Sequence, residues 1–198
     1  MNRITSLVFD LDQTLFDRRR AFDDWLADLS LSRRDSSRLR FIDQNGYGNR
    51  DLLFKSVETL TGEPLNQHRF VNTLMRFVEP NATLRTMLTR LRSDFRLAVL
   101  TNGGVATQIA KLKALALDSV FAPNRIFISA EIGFEKPDVA AFEHVASALK
   151  APAGRCMYFG DRSNIDVSAA LAAGWKACLV DGPTELQRKL RSRFGVVA

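Results

Sequence analysis

Asp10 and Asp12 stand two residues apart, just after the apolar run Leu7-Val8-Phe9. In an extended chain, positions i and i+2 face the same side. The two carboxylates therefore share a small volume and repel, so a cation, a shared proton or both must stabilise them. A second acidic pair, Asp161 and Asp166, follows the run Cys156-Met157-Tyr158-Phe159 across Gly160. Helix capping accounts well for Asp166. It accounts poorly for Asp161, which follows a glycine that marks a tight turn at the strand end.

Two more strand-like runs end in polar groups. Leu100-Thr101-Asn102-Gly103-Gly104 carries a hydroxyl, an amide and two glycines into a helical stretch. Backbone N–H groups at such a turn favour an anion, and phosphate is the usual one. After a third run comes Glu135-Lys136-Pro137. A residue before proline is pushed out of the helical region, so Lys136 is expected to be extended, with its ammonium near a phosphate or the acids. Each element alone is weak evidence. Together they supply oxygen ligands for a hard cation, a cationic clamp and a carboxylate able to attack.

The elements that must position these groups alternate. Strand-like runs cover residues 6–11, 96–100, 126–129, 156–159 and 176–180, and helical patterns cover 82–93, 105–115, 137–149 and 165–173. Alternation of this kind predicts a parallel sheet covered on both faces, an α/β Rossmann-like, doubly wound fold. Ligands of such sheets bind at the carboxyl ends of the strands, where the polar groups stand. Pro137 is expected at a first helical position and Gly174 at a helix stop. Between residues 18 and 79 no strand signal appears. Ala21, Phe22, Trp25 and Leu26, then Leu53, Val57 and Leu60, then Phe70, Leu74 and Phe77 recur at helical spacing. We therefore expect a core of residues 1–17 and 80–198 with a helical insertion over 18–79.

Composition narrows the class. The 198 residues are 46% apolar and 25% charged, which suits a soluble globular protein. The net charge is +6, but the arginines are scattered and read as a solvated surface, so no nucleic acid partner is expected. No apolar segment approaches the ~18 residues of a membrane span, and the N-terminal residues do not resemble a signal peptide. Cys156 and Cys178 lie in strand-like runs and read as buried thiols. The expected location is cytoplasmic. His68 and His144 lie in helical patterns and read as structural.

The spacing Asp10-x-Asp12-x-Thr14, Thr101, Lys136 and Gly160-Asp161-x-x-x-x-Asp166 resembles the four signature motifs of the haloacid dehalogenase (HAD) superfamily. The run from Ile128 to Asp138 is similar to the phosphatase branch that includes phosphoglycolate phosphatases and nucleotidases, and the insertion resembles the helical C1-type cap of that family. The resemblance implies a Mg²⁺-dependent phosphomonoester hydrolase acting on a small phosphorylated metabolite through an aspartyl-phosphate. Asp10 would be the nucleophile and Asp12 the general acid and base. Thr101, with the N–H groups of Asn102 and Gly103, would hold the phosphoryl group, and Lys136 would offset charge. Asp10, the main-chain carbonyl of Asp12, Asp161 and Asp166 would serve the metal. Gln13 and Ile165 depart from residues common in the family at those places.

In the insertion, the segment from Asp43 to Arg50 interrupts the helices, and Tyr47 or Arg50 is expected to touch the leaving group. A phosphomutase, a 2-haloacid dehalogenase and a non-catalytic binding module are the alternatives. The dehalogenase needs neither a metal nor an acid at position 12. The oligomeric state is expected to be monomer or homodimer.

Overall fold

The computed structural model describes residues 3–198. After β1 (Ser6–Phe9) come four helices: α1 (Arg18–Asp28), α2 (Arg33–Asp43), α3 (Arg50–Thr61) and α4 (Gln67–Met75). The chain continues through α5 (Ala82–Leu91), β2 (Arg96–Thr101), α6 (Val105–Ala114), β3 (Ile126–Ile128), α7 (Ser129–Ile132) and α8 (Val139–Ala148). It ends with β4 (Cys156–Gly160), α9 (Ser168–Ala172), β5 (Lys176–Leu179) and α10 (Pro183–Phe194). Two compact units result, residues 1–17 with 79–198, and residues 18–78.

The five strands form one parallel sheet in the order β3-β2-β1-β4-β5, and helices surround it. β1 is central because it is apolar on both faces. Leu7, Val8 and Phe9 are wholly buried, as a strand covered by helices on both sides requires. It pairs with β2 through Phe9 and Val99 and with β4 through Phe9 and Phe159. The chain builds outward from β1 in one direction through β2 and β3, then returns to lay β4 on the other side. That reversal leaves the carboxyl ends of β1 and β4 side by side at a switch point. Asp10 follows β1 and Asp161 follows β4. The Asp10 N–H donates to the Phe159 carbonyl at 2.8 Å, which extends the ladder one residue beyond β1.

One face of the sheet packs Val8, Ala98, Leu100 and Tyr158 against Phe142, Val145 and Trp175. Phe142 meets both Tyr158 and Trp175 edge-on, with ring centroids 5.2 and 5.5 Å apart, an arrangement that suits the ring quadrupoles. Both cysteines are buried and free. His144 lies between Phe127 and Phe134, with both ring centroids 6.0 Å away. No helix among the described residues is long and apolar enough to cross a membrane.

Helix α8 starts later than expected. Asp138 is its cap: its carboxylate accepts the Ala140 N–H at 2.9 Å. Pro137 therefore lies one residue outside the helix, behind a cis Lys136–Pro137 peptide bond. Gly174 follows α9 with φ +77, as a helix stop demands. The basic C-terminal tract belongs to α10, which buries Leu186 and Leu190 and exposes its arginines.

Residues 18–78 hold the four helices of the insertion. Asparagines start two of them: Asn49 accepts the Leu52 N–H and Asn66 the Arg69 N–H, each at 2.9 Å. Phe22, Trp25 and Phe70 form an edge-on aromatic cluster with centroids 5.3 to 6.3 Å apart. Beside it, Arg18 grips the buried Asp43 carboxylate with two bonds of 2.6 and 2.7 Å.

Candidate active site

The acids at the ends of β1 and β4 meet. Asp10, Asp161 and Asp166 each place a carboxylate oxygen within 4.8 Å of the others. Asp166 reaches the group from a π-helical turn, Ser163–Val167, that opens toward α9. This close approach depends on Gly160. A Cβ there would stand 2.5 Å from the Asp166 carboxylate, inside any tolerable contact. The Arg162 N–H then donates to Asp166 Oδ2 at 3.0 Å and fixes its orientation.

Lys136 brings an ammonium into the cluster. Its Nζ donates to Asp10 Oδ1 at 2.8 Å, to Asp166 Oδ1 at 2.7 Å and to the Tyr158 hydroxyl at 2.7 Å. The Tyr158 hydroxyl in turn donates a hydrogen bond to the Leu100 carbonyl at 2.8 Å. The Asn102 side chain grips the Lys136 main chain from both sides, donating to its carbonyl at 2.7 Å and accepting its N–H at 2.9 Å. Three donors on Nζ thus meet three acceptors, and the lysine has no slack.

Charge is not balanced by that lysine. Three carboxylates and one ammonium leave a formal deficit of two positive charges. The titration behaviour follows. Burial pushes the Asp10 carboxyl up to about 7, against the pull of Lys136 and with a further push from Asp166. Burial, with the Asp166 charge beside it, raises Asp161 to about 6. Burial works against the Lys136 ammonium, yet the Asp10 and Asp166 charges outweigh it and raise its pKa. Asp161 Oδ1 is also buried and has no hydrogen-bond partner among the described residues. Such an oxygen is costly unless something donates to it or coordinates it. An all-oxygen group that lacks two positive charges fits a hard divalent cation of the Mg²⁺ type.

Asp12 is held apart from this cluster. Lys111 Nζ stands 2.7 Å from its Oδ1 and 2.6 Å from its Oδ2. Gln108 Nε2 lies 3.3 Å from Oδ2, and also 2.6 Å from Thr101 Oγ1 and 3.1 Å from the Asn102 carbonyl. Thr101 itself is buried at the end of β2. Of the N–H groups after it, that of Gly103 donates to Ser129 Oγ at 3.0 Å.

A profile of haloacid dehalogenase-like hydrolases matches residues 4–174. The chain belongs to that family. This HAD-like hydrolase is 35% identical over 106 residues to N-acylneuraminate-9-phosphatase of Rattus norvegicus, a match covering 54% of the chain and 42% of the rat protein. The match thus spans less than half the length of that relative. Glyceraldehyde 3-phosphate phosphatase of Methanothermobacter thermautotrophicus is 28% identical over 205 residues, covering 93% of the chain and 89% of its own. Among solved structures, the magnesium-bound HAD-hydrolase YfnB of Bacillus subtilis superposes with a TM-score of 0.71 at 22% identity, over 96% of this chain and all of that one. That last likeness is one of fold.

Lys111, Gln108 and Tyr158 are site residues of this HAD-like hydrolase that the motif reading passes over. The sequence carries a signal for each. Gln108 and Lys111 are buried on α6 with Leu112, and a polar pair on the apolar face of a helix needs a partner. Tyr158 puts a hydroxyl into a strand that is otherwise apolar, and a buried hydroxyl needs one too. In residues 18–78, Arg50 donates to Asp43 Oδ1 and to the Gly46 carbonyl, each at 2.7 Å, and Tyr47 is about half exposed.

Proposed function

We propose that this protein is a cytoplasmic, Mg²⁺-dependent phosphatase that hydrolyses a small phosphorylated metabolite through an aspartyl-phosphate on Asp10. One observation carries the reading: three carboxylates converge, Lys136 bonds two of them, Asp10 and Asp166, and Asp161 Oδ1 has no hydrogen-bond partner among the described residues. The family match and the phosphatase names of its relatives support it. Asp10, Asp161 and Asp166, with the Asp12 carbonyl, would serve the cation. When bound, it would neutralise charge on the transferring phosphoryl group.

The protein's own groups then divide the work. Asp10 attacks phosphorus, forming the Oδ–P bond as the ester P–O bond breaks. Asp12 gives a proton to the departing oxygen and later takes one from the water that cleaves the aspartyl-phosphate. Thr101 and the Asn102 N–H, with that of Gly103 if it releases Ser129, would hold the phosphoryl oxygens. Lys136 keeps Asp10 aligned and offsets its charge, since phosphoryl transfer depends on alignment and neutralisation. Tyr47 and Arg50 are proposed to select the leaving group. Attack on carbon, as in a dehalogenase, would leave Asp161 and Asp166 without a task.

The test is phosphate release from p-nitrophenyl phosphate by the purified protein with Mg²⁺ and with EDTA. It would be followed by a metabolite panel that includes N-acylneuraminate 9-phosphate and glyceraldehyde 3-phosphate. Activity should require the metal and vanish in Asp10→Asn. Full activity in that variant would overturn the nucleophile assignment.

A further inference from the structure

We propose that Gln108 and Lys111, one turn apart on α6, are positioning residues that lock the Asp12 carboxyl to the phosphoryl-binding Thr101. The inference rests on the phosphatase reading and adds to it the device that aims its acid.

The geometry is specific. Lys111 is nearly buried, and its ammonium sits between both oxygens of Asp12 at 2.6 and 2.7 Å. A cationic donor this close to a carboxylate makes one of the stronger hydrogen bonds available to side chains. Gln108 is 1% exposed, and its amide reaches Asp12 Oδ2, Thr101 Oγ1 and the Asn102 carbonyl together. Gly103 makes room for it: with φ +137, it has no side chain where a Cβ would press within 3.2 Å of the Gln108 amide carbon.

Asp12 Oδ2 therefore has two anchors, and Oδ1 has Lys111. A second consequence falls on Thr101. Because its oxygen accepts from Gln108, its hydroxyl proton points away from that amide; here it is given, over a long 3.5 Å, to the Asn102 carbonyl, a bond that a bound phosphoryl oxygen would replace. One amide thus sets the separation of the group that protonates the leaving oxygen from the group that holds the phosphoryl. A carboxyl held on target reacts with the advantage of an intramolecular group. An unanchored aspartate samples several rotamers.

The role predicts a dependence on the leaving group. An alkoxide leaves poorly and needs the Asp12 proton; p-nitrophenolate leaves well without it. Positioned acid catalysis contributes on the order of 10²- to 10⁴-fold, so losing the aim should cost part of that on alkyl esters alone. The experiment compares kcat/KM, which reports ester cleavage, for p-nitrophenyl phosphate and for an alkyl phosphate such as glycerol 3-phosphate. In Lys111→Met, kcat/KM should fall about 30-fold or more on the alkyl ester and less than about threefold on the aryl ester. Lys111→Arg, which keeps a cationic donor, should recover most of the loss. Gln108→Met should lower kcat/KM on both esters, because it also releases Thr101.

Equal losses on both esters in a folded Lys111→Met protein, or no loss on either, would overturn the proposal while the phosphatase reading stood. A wild-type protein that cleaves neither ester would overturn the phosphatase reading, and this proposal with it. Circular dichroism and thermal melts separate misfolding from lost aim. If Lys111→Met does not fold, the contrast is read from Lys111→Gln, and the same two outcomes decide it.

Discussion

A methyl group on Gly160 would stand 2.5 Å from the carboxylate of Asp166. The glycine that ends β4 is therefore what lets Asp166 reach Lys136 and join the acid cluster. Gly160→Ala should displace Asp166 and cost about 1–3 kcal/mol through overpacking. Activity should drop tenfold or more while the α/β signature in circular dichroism persists. A fully active Gly160→Ala protein would show that Asp166 is not needed in its observed place.

The raised carboxyls give a pH dependence with a defined sign. Asp10 titrates near 7 and Asp161 near 6 in the folded protein, against 3.8 for an ordinary aspartate. Over that window the metal-free folded state binds more protons than the unfolded chain, so stability falls as pH rises from about 4 to about 7. A divalent cation competes with those protons, so Mg²⁺ affinity should rise over the same interval as binding releases them. Thermal melts from pH 4.5 to 8, with EDTA and with Mg²⁺, check both trends. The downward slope should be present with EDTA and flattened by Mg²⁺. Stability that climbs with pH in EDTA would contradict the proposed burial effect.

Tyr158 holds Lys136 and is itself held by the Leu100 carbonyl. Tyr158→Phe keeps the ring against Phe142 and removes both bonds. The expected cost is about 1–3 kcal/mol, because Lys136 Nζ and the Leu100 carbonyl each lose a buried partner. A kcat reduced several-fold with KM nearly unchanged would fit a lysine loosened in the transition state. Steady-state kinetics and a urea titration measure both.

Asp43 anchors residues 18–78 by binding Arg18 and Arg50, and it also accepts the Gly46 N–H at 3.0 Å. Asp43→Ala leaves the Arg18 guanidinium buried without its partner, at a cost of about 3–5 kcal/mol. Hydrogen exchange should accelerate in α1 to α3 first. Arg50→Ala should cost less, since Arg50 is partly solvated and Arg18 still pairs Asp43. A raised KM in Arg50→Ala with unchanged exchange would support the substrate contact proposed for it. Unchanged KM would remove that contact.

Much of this protein is written locally. The strand runs follow from apolar stretches too short for helices, and the helices of residues 18–78 from 3.6-residue periodicity with asparagine caps at Asn49 and Asn66. Residues 10, 12, 161 and 166, with Lys136, stand out as candidates in the sequence because they come after strand-like runs, and the carboxyl ends of parallel strands are where such a sheet binds ligands. Gly160 was legible as a turn, but not as the space that Asp166 fills. Local sequence could not place the start of α8, because proline tolerates both a first helical turn and the position before a cap. Asp138 decided between them through its bond to the Ala140 N–H.

What only the tertiary structure decided is which charges pair. Lys111 and Asp12 lie 99 residues apart, and Lys136 and Asp10 lie 126 apart. No periodicity encodes such a match. It exists because a parallel sheet brings distant strand ends to one edge, where short-range forces between ionised groups choose partners by distances of a few ångströms. The sequence by itself set acids 10 and 161 directly after apolar strand runs and pointed to Lys136 as a cation near them. Packing determined that Lys136 would bind Asp10 and Asp166 while Lys111 bound Asp12.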